Sequence, residues 1–150
     1  RAKRVWVQGR QRVIERRSAH VEFDSDVLAP RAARRFISTL LREWAVAEDV
    51  IERGALLVSE LVSNAVLHGT GSIRMEVSEH EAASTSRVRI EVCNEGLGRP
   101  TLRVVDRGDV SGRGLRLIDE LADDWGSTSA DGQTSVWFAL HRADAERRSN

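Results

Sequence analysis

Glu60, Asn64 and His68 stand four residues apart in the stretch Leu56 to Gly69, L-L-V-S-E-L-V-S-N-A-V-L-H-G. On a helix that spacing stacks all three on one stripe, one turn above the next. Leu56, Leu57, Val58, Leu61, Val62, Ala65, Val66 and Leu67 spread nearly all the way round the same helix, the pattern of a helix buried on most sides. An acid and an amide in that setting need a polar partner, because desolvating an unpaired amide costs roughly 2–7 kcal/mol. A hydrogen-bonded core cluster or a subunit interface would satisfy them. So would a ligand: the Asn64 carbonyl oxygen suits a hard cation such as magnesium shared with phosphates, and Glu60 could orient water or accept a hydroxyl proton.

Two glycine-rich stretches come next. A strand over Arg87 to Cys93 runs into Asn94-Glu95-Gly96-Leu97-Gly98, where glycines permit tight turns and close approach of backbone to a ligand. Ser111-Gly112-Arg113-Gly114-Leu115 opens a helix, and a helix N-terminus gathers free N–H groups and the positive end of the dipole, suited to phosphate. Each stretch alone is equally explained as loop or capping chemistry.

The elements that would position these groups are read from periodicity. His20 to Phe23 reads as a short strand, Asp24, Ser25 and Asp26 as turn or cap chemistry before Pro30. Ala33, Phe36, Ile37, Leu40, Leu41 and Trp44 make an amphipathic helix from about 28 to 44, with Arg31, Arg34, Arg35 and Arg42 outside it. Asp49 is expected to cap a second helix ending at His68, before Gly69. Apolar runs at 73–77 and 88–93 predict a hairpin across the polar stretch 79–86. Residues 96–111 read as loop, 112–123 as helix, and 125–129 and 135–141 as strands joined through Asp131-Gly132. Strands and helices in this order predict an α/β (α+β) two-layer sandwich, its sheet mixed and mostly antiparallel, with helices on one face. Trp6, Trp44, Trp125 and Trp137 are expected mainly to pack, and Cys93, His20, His80 and His141 show no ligand spacing.

A chain of 150 residues, 41% hydrophobic and 31% charged, fits one globular domain. The expected division is a basic N-terminal arm at 1–19, a domain at 20–141 and a tail at 142–150. Lys plus Arg equals Asp plus Glu at 23 each, so no overall field draws the chain to nucleic acid or an anionic membrane. Its single cysteine excludes an internal disulfide framework and a cysteine-based zinc site and fits a reducing cytoplasm. No long apolar run or secretory leader is present in the sequence. The chain opens on Arg1 and its only methionine is Met75, so the natural start is expected upstream.

Taken in order, E-L-V-S-N-A-V-L-H-G, N-x-G-x-G and S-G-R-G-L resemble the N box and the two glycine boxes of the GHKL (Bergerat-fold) ATPases. The resemblance runs from about His20 to His141, takes in Trp125-Gly126 and the strand G-Q-T-S-V-W-F-A-L at 132–140, and is strongest toward small anti-sigma-factor serine kinases and histidine-kinase-like regulators. It implies ATP and Mg2+ as cofactors. Glu60 matches the family's catalytic glutamate, Asn64 its magnesium ligand, and His68 the end of the same box near the nucleotide. Asn94 falls where the family has an aspartate that recognises the adenine amino group, with Gly96 and Gly98 the glycines beside it. Gly112 and Gly114, with Arg113 and Leu115, match the phosphate-contacting box, and Arg99 to Ser111 the lid. Arg103, Arg107 and Arg113 are candidates to meet the γ-phosphate. The departure at Asn94 implies altered nucleotide selection, since an amide oxygen accepts a hydrogen bond without a carboxylate's charge.

The activity so implied is phosphorylation of a serine on a sulfate-transporter-like (STAS) anti-sigma antagonist, with a sigma factor as the sequestered partner. No direct nucleic-acid or membrane contact is implied, and a homodimer is compatible with the reading. The alternative is a nucleotide-dependent or degenerate module that sequesters a protein partner without phosphotransfer. The catalytic half of a sensor histidine kinase would need an upstream phosphoacceptor helix pair, and a topoisomerase- or chaperone-type ATP hydrolase would need transducer domains.

Overall fold

The computed structural model describes residues 5–8, 11–68, 71–83, 85–95, 113–130 and 132–142. Six strands and three helices succeed one another as β1 (Val5–Gln8), β2 (Gln11–Phe23), α1 (Ala29–Glu43), α2 (Glu48–His68), β3 (Ile73–Ala82), β4 (Thr85–Glu95), α3 (Arg113–Leu121), β5 (Asp124–Ala130) and β6 (Gln133–His141). The strands form one sheet in the order β1-β2-β3-β4-β6-β5, and every described pairing is antiparallel. Among the described residues no helix is long and apolar enough to cross a membrane.

One face of the sheet carries the core. Ile73, Met75 and Val77 of β3, Val88, Ile90 and Val92 of β4, and Val136, Phe138 and Leu140 of β6 are buried. They meet Ala33, Ile37 and Leu41 of α1, Ile118 of α3 and the apolar side of α2. The alternation on β3, buried then exposed from Ile73 to Val77, is the period-2 signature of a sheet covered on one side.

Pro30 in the first turn of α1 fits a position whose N–H has no helical partner. Asp26 accepts the N–H of Leu28 at 2.8 Å without capping the helix proper. α2 begins at Glu48, so Asp49 lies inside the first turn instead of capping it, where its charge complements the helix dipole. The long sequence-read apolar surround of α2 is incomplete: Leu67 is 74% exposed, and Leu56 and Val66 are only half-buried.

The largest difference from expectation lies in the basic N-terminal segment. The short strand read at 20–23 begins at Gln11, and Val5–Gln8 pairs with it. A bulge at Arg16 breaks the alternation, since Glu15 faces His80 while Arg17 faces Glu79. The inserted residue turns Arg17 toward the helices. There Glu79, only 4% exposed, is paired with both Arg17 and Arg142. Both arginines also donate to the Trp44 carbonyl at the end of α1, Arg17 at 3.3 Å, and Arg17 lies 4.9 Å over the Trp44 ring. This cluster ties β2, β3, the end of β6 and the α1–α2 corner together.

Two glycines report how tightly the side chains around them pack. A Cβ at Gly54 would sit 3.6 Å from Leu41, 3.7 Å from Leu140 and 3.9 Å from Ile90, ordinary contact distances. Gly54→Ala should therefore raise stability by about 0.5–1 kcal/mol through helix propensity alone, read as a higher urea midpoint at unchanged slope. A Cβ at Gly126 would lie 2.7 Å from Nε1 of Trp137, whose ring is also stacked by Arg89 at 4.8 Å. Gly126→Val should displace that ring and cost about 1–3 kcal/mol, with a shift in tryptophan emission.

Candidate functional site

The topology carries Asn64, Asn94 and the start of α3 toward one end of the helix layer. Gly54 sits over Ile90 and Leu140. From Ile90 to Asn94 the strand advances about 13 Å, and the same length of α2 takes about nine residues, to the level of Ser63 and Asn64. The direction is fixed because α2 ends at His68 and the chain turns back into Ile73, the partner of Asn94. Gly71, at φ 81°, makes part of that turn in the left-handed region open to glycine.

Which side Glu60 and Asn64 face is settled by Arg53, seven residues before Glu60 and so on the same stripe. Arg53 donates to the carbonyl of Leu121, the last residue of α3, at 3.3 Å. The flank bearing Glu60 and Asn64 is therefore the one beside α3. α3 connects to β5 through only Ala122 and Asp123, and β5 runs from the level of Ala139 to that of Gln133. A connection that short makes the two run antiparallel, so α3 starts near the level of Thr134, and its N-terminus comes to the same end as Asn64 and Asn94.

Glu60 and Asn64 are half-buried and His68 is exposed. Among the described residues neither the Glu60 nor the Asn64 side chain is taken by a hydrogen bond or ion pair. The enclosed setting read from the apolar surround is thus relaxed: water reaches this flank, and desolvation presses less on Glu60 than on Asn94. Asn94 is 4% exposed, on the helix-facing side of β4, and among the described residues neither its Oδ1 nor its Nδ2 has a partner. Its cross-strand neighbours are Ile73 and the buried Thr134. Such an orphaned carboxamide is rare in a folded interior. Arg113, Gly114 and Leu115 form the first turn of α3. Gly96, Gly98, Gly112 and the expected lid 99–111 lie outside the described residues.

No group of three or more His, Cys, Asp or Glu among the described residues could hold a metal; the Mg2+ expected here would rest on the Asn64 carbonyl and on phosphate oxygens. A cavity of about 790 Å³ lies elsewhere, on the open face of the sheet, lined by Val13, His20, Ser78, His80, Arg89 and Trp137 among others. Ser78 and His80 are hydrogen-bonded there at 2.8 Å. Its side chains project from the face opposite Asn94, so it is separate from the end of the helix layer where Asn64 and Asn94 stand. Sequence reasoning missed the Glu79 cluster, although Glu79 keeps the phase of Ile73, Met75 and Val77 and so had to point inward.

Comparison with known proteins agrees with this architecture. The crystal structure of the RsbU and RsbW domains of Rv1364c from Mycobacterium tuberculosis is similar over 87% of this chain at 20% identity, with a TM-score of 0.63. The chain spans about a third of that structure's length, 33%. The catalytic domain of the histidine kinase ThkA matches 87% of this chain and 99% of its own at 16% identity, with a TM-score of 0.48. No curated protein sequence matches significantly. The model of the histidine kinase-like ATPase domain matches residues 23–140, which take in all three helices and the strands β3 to β6. The chain therefore belongs to the histidine kinase-like ATPase domain family.

Proposed function

We propose that this chain binds ATP with Mg2+ at the end of the helix layer shared by Asn64, Asn94 and the start of α3, and transfers phosphate to a serine of a protein partner. The observation that carries the reading is Asn94, whose two buried polar atoms have no partner among the described residues and stand level with the unengaged Asn64. A nucleotide base would satisfy the first and a phosphate-bound cation the second. When bound, ATP with Mg2+ supplies the transferable phosphoryl group. Asn64 would hold the cation through a neutral carbonyl oxygen. The free N–H groups and positive dipole end of α3 would face the phosphates. Glu60, one turn before Asn64, would accept the proton of the serine hydroxyl.

The sequence resemblance, together with the similarity to the RsbW-containing structure, supports an anti-sigma role, and the single cysteine fits a reducing cytoplasm. The phosphorylated partner would be a STAS-like antagonist and the sequestered one a sigma factor. Incubation with γ-labelled ATP and such an antagonist should place acid-stable label on a serine. Nucleotide binding without any label transfer would leave the second reading, a module that sequesters its partner without phosphotransfer. That reading draws on Val27, Leu28 and Leu67, which are 86%, 66% and 74% exposed at the adjoining ends of α1 and α2, apolar surface suited to a protein partner.

A further inference from the structure

We infer that Asn94 lets the site accept 6-oxopurine triphosphates, of the inosine and guanosine type, as well as the 6-aminopurine ATP. The inference rests on the nucleotide site proposed for this end of the helix layer. A carboxamide presents one acceptor and one donor side by side, whereas a carboxylate presents acceptors only. Here both atoms are buried, at 4% residue exposure, and neither has a hydrogen-bond partner among the described residues.

A ligand that satisfies both must offer a donor and an acceptor on adjacent atoms of one edge. The adenine edge does so with the 6-amino hydrogen as donor and N1 as acceptor. The hypoxanthine or guanine edge does so in mirror order, with O6 as acceptor and N1–H as donor. Rotating the amide by half a turn about its last torsion exchanges oxygen and nitrogen, and that torsion is broad and roughly two-fold in asparagine. Because no hydrogen bond from the described residues fixes either orientation, the rotation breaks none of them. Neither cross-strand neighbour chooses an orientation: Ile73 on one side is apolar, and Thr134 on the other carries a hydroxyl that donates or accepts. An acceptor-only side chain in the same place would meet O6 with like polarity and favour the amino purine.

The test is calorimetric titration of the full chain with the magnesium salts of ATP, ITP and GTP, for wild type, Asn94→Asp and Asn94→Ala. In wild type, ITP or GTP should bind within about tenfold of ATP, since the same number of hydrogen bonds forms to each edge. Asn94→Asp should then widen the preference for ATP over the oxopurines by about tenfold or more, the effect of one mismatched buried contact. Asn94→Ala, smaller and uncharged and so the safer variant to fold, should weaken ATP and ITP together. The proposal is overturned if wild type binds ATP about a hundredfold more tightly than both oxopurines. It is also overturned if Asn94→Ala leaves both affinities unchanged. Binding of none of the three by folded wild type would remove the nucleotide reading itself, a result distinct from selective loss of ITP and GTP.

Discussion

Glu79→Ala is expected to lower the stability of the domain by about 3 kcal/mol, the lower end of the cost of removing one partner from a buried ion pair. The lower end applies because the two arginines differ. The Arg142 side chain is 11% exposed and would be left charged in a nearly dry place, while Arg17 is 42% exposed and can turn to water. Both would still hold the Trp44 carbonyl, so the corner between α1 and α2 should loosen without losing its cap. For a domain of this size the loss should appear as a melting temperature lower by roughly 6–12 °C. Glu79→Gln should cost less, because an amide oxygen still accepts one arginine hydrogen bond. A change below about 1 kcal/mol for Glu79→Ala would mean that the cluster contributes no more than a surface pair.

Glu60→Gln is expected to lower phosphotransfer to a partner serine by about 100- to 10,000-fold, the usual worth of a positioned general base. Nucleotide affinity should change little, since the amide keeps the shape of the side chain and, among the described residues, no hydrogen bond or ion pair of Glu60 would be lost. The separation of the two readouts is what identifies a base. Equal loss of binding and transfer would mark Glu60 as part of the nucleotide site instead, and full retained transfer would remove it from the chemistry. The measurement is initial rate of serine labelling at saturating Mg-ATP, beside a calorimetric titration of each protein.

The parts legible in the sequence were those carried by local spacing. The stripe of Glu60, Asn64 and His68 needs only a helix of 3.6 residues per turn, and α2 ends at His68 as the spacing predicts. The four strands after α2 were marked by short apolar runs and the Asp131-Gly132 turn, but the hairpin of β3 and β4 was clipped short. Its polar stretch 79–86 contains strand residues that pair down to Ala82 and Thr85, and polarity alone resembles a loop. β2 was missed over residues 11–19 because the bulge at Arg16 breaks its period. Arg16 and Arg17 pair there with Glu81 and Glu79, acids that strand pairing brings from far along the chain. The orphaned state of Asn94 was equally hidden, since it depends on which neighbours three separate strands deliver.

The most direct test is a calorimetric titration of the folded chain with ATP, with and without Mg2+, beside Asn64→Ala. One saturable site is expected whose affinity rises with Mg2+ in wild type, and Asn64→Ala should bind Mg-ATP no better than wild type binds ATP in chelator. No heat at millimolar nucleotide, or a magnesium effect unchanged by Asn64→Ala, would contradict the assignment of this end of the helix layer as a metal-nucleotide site.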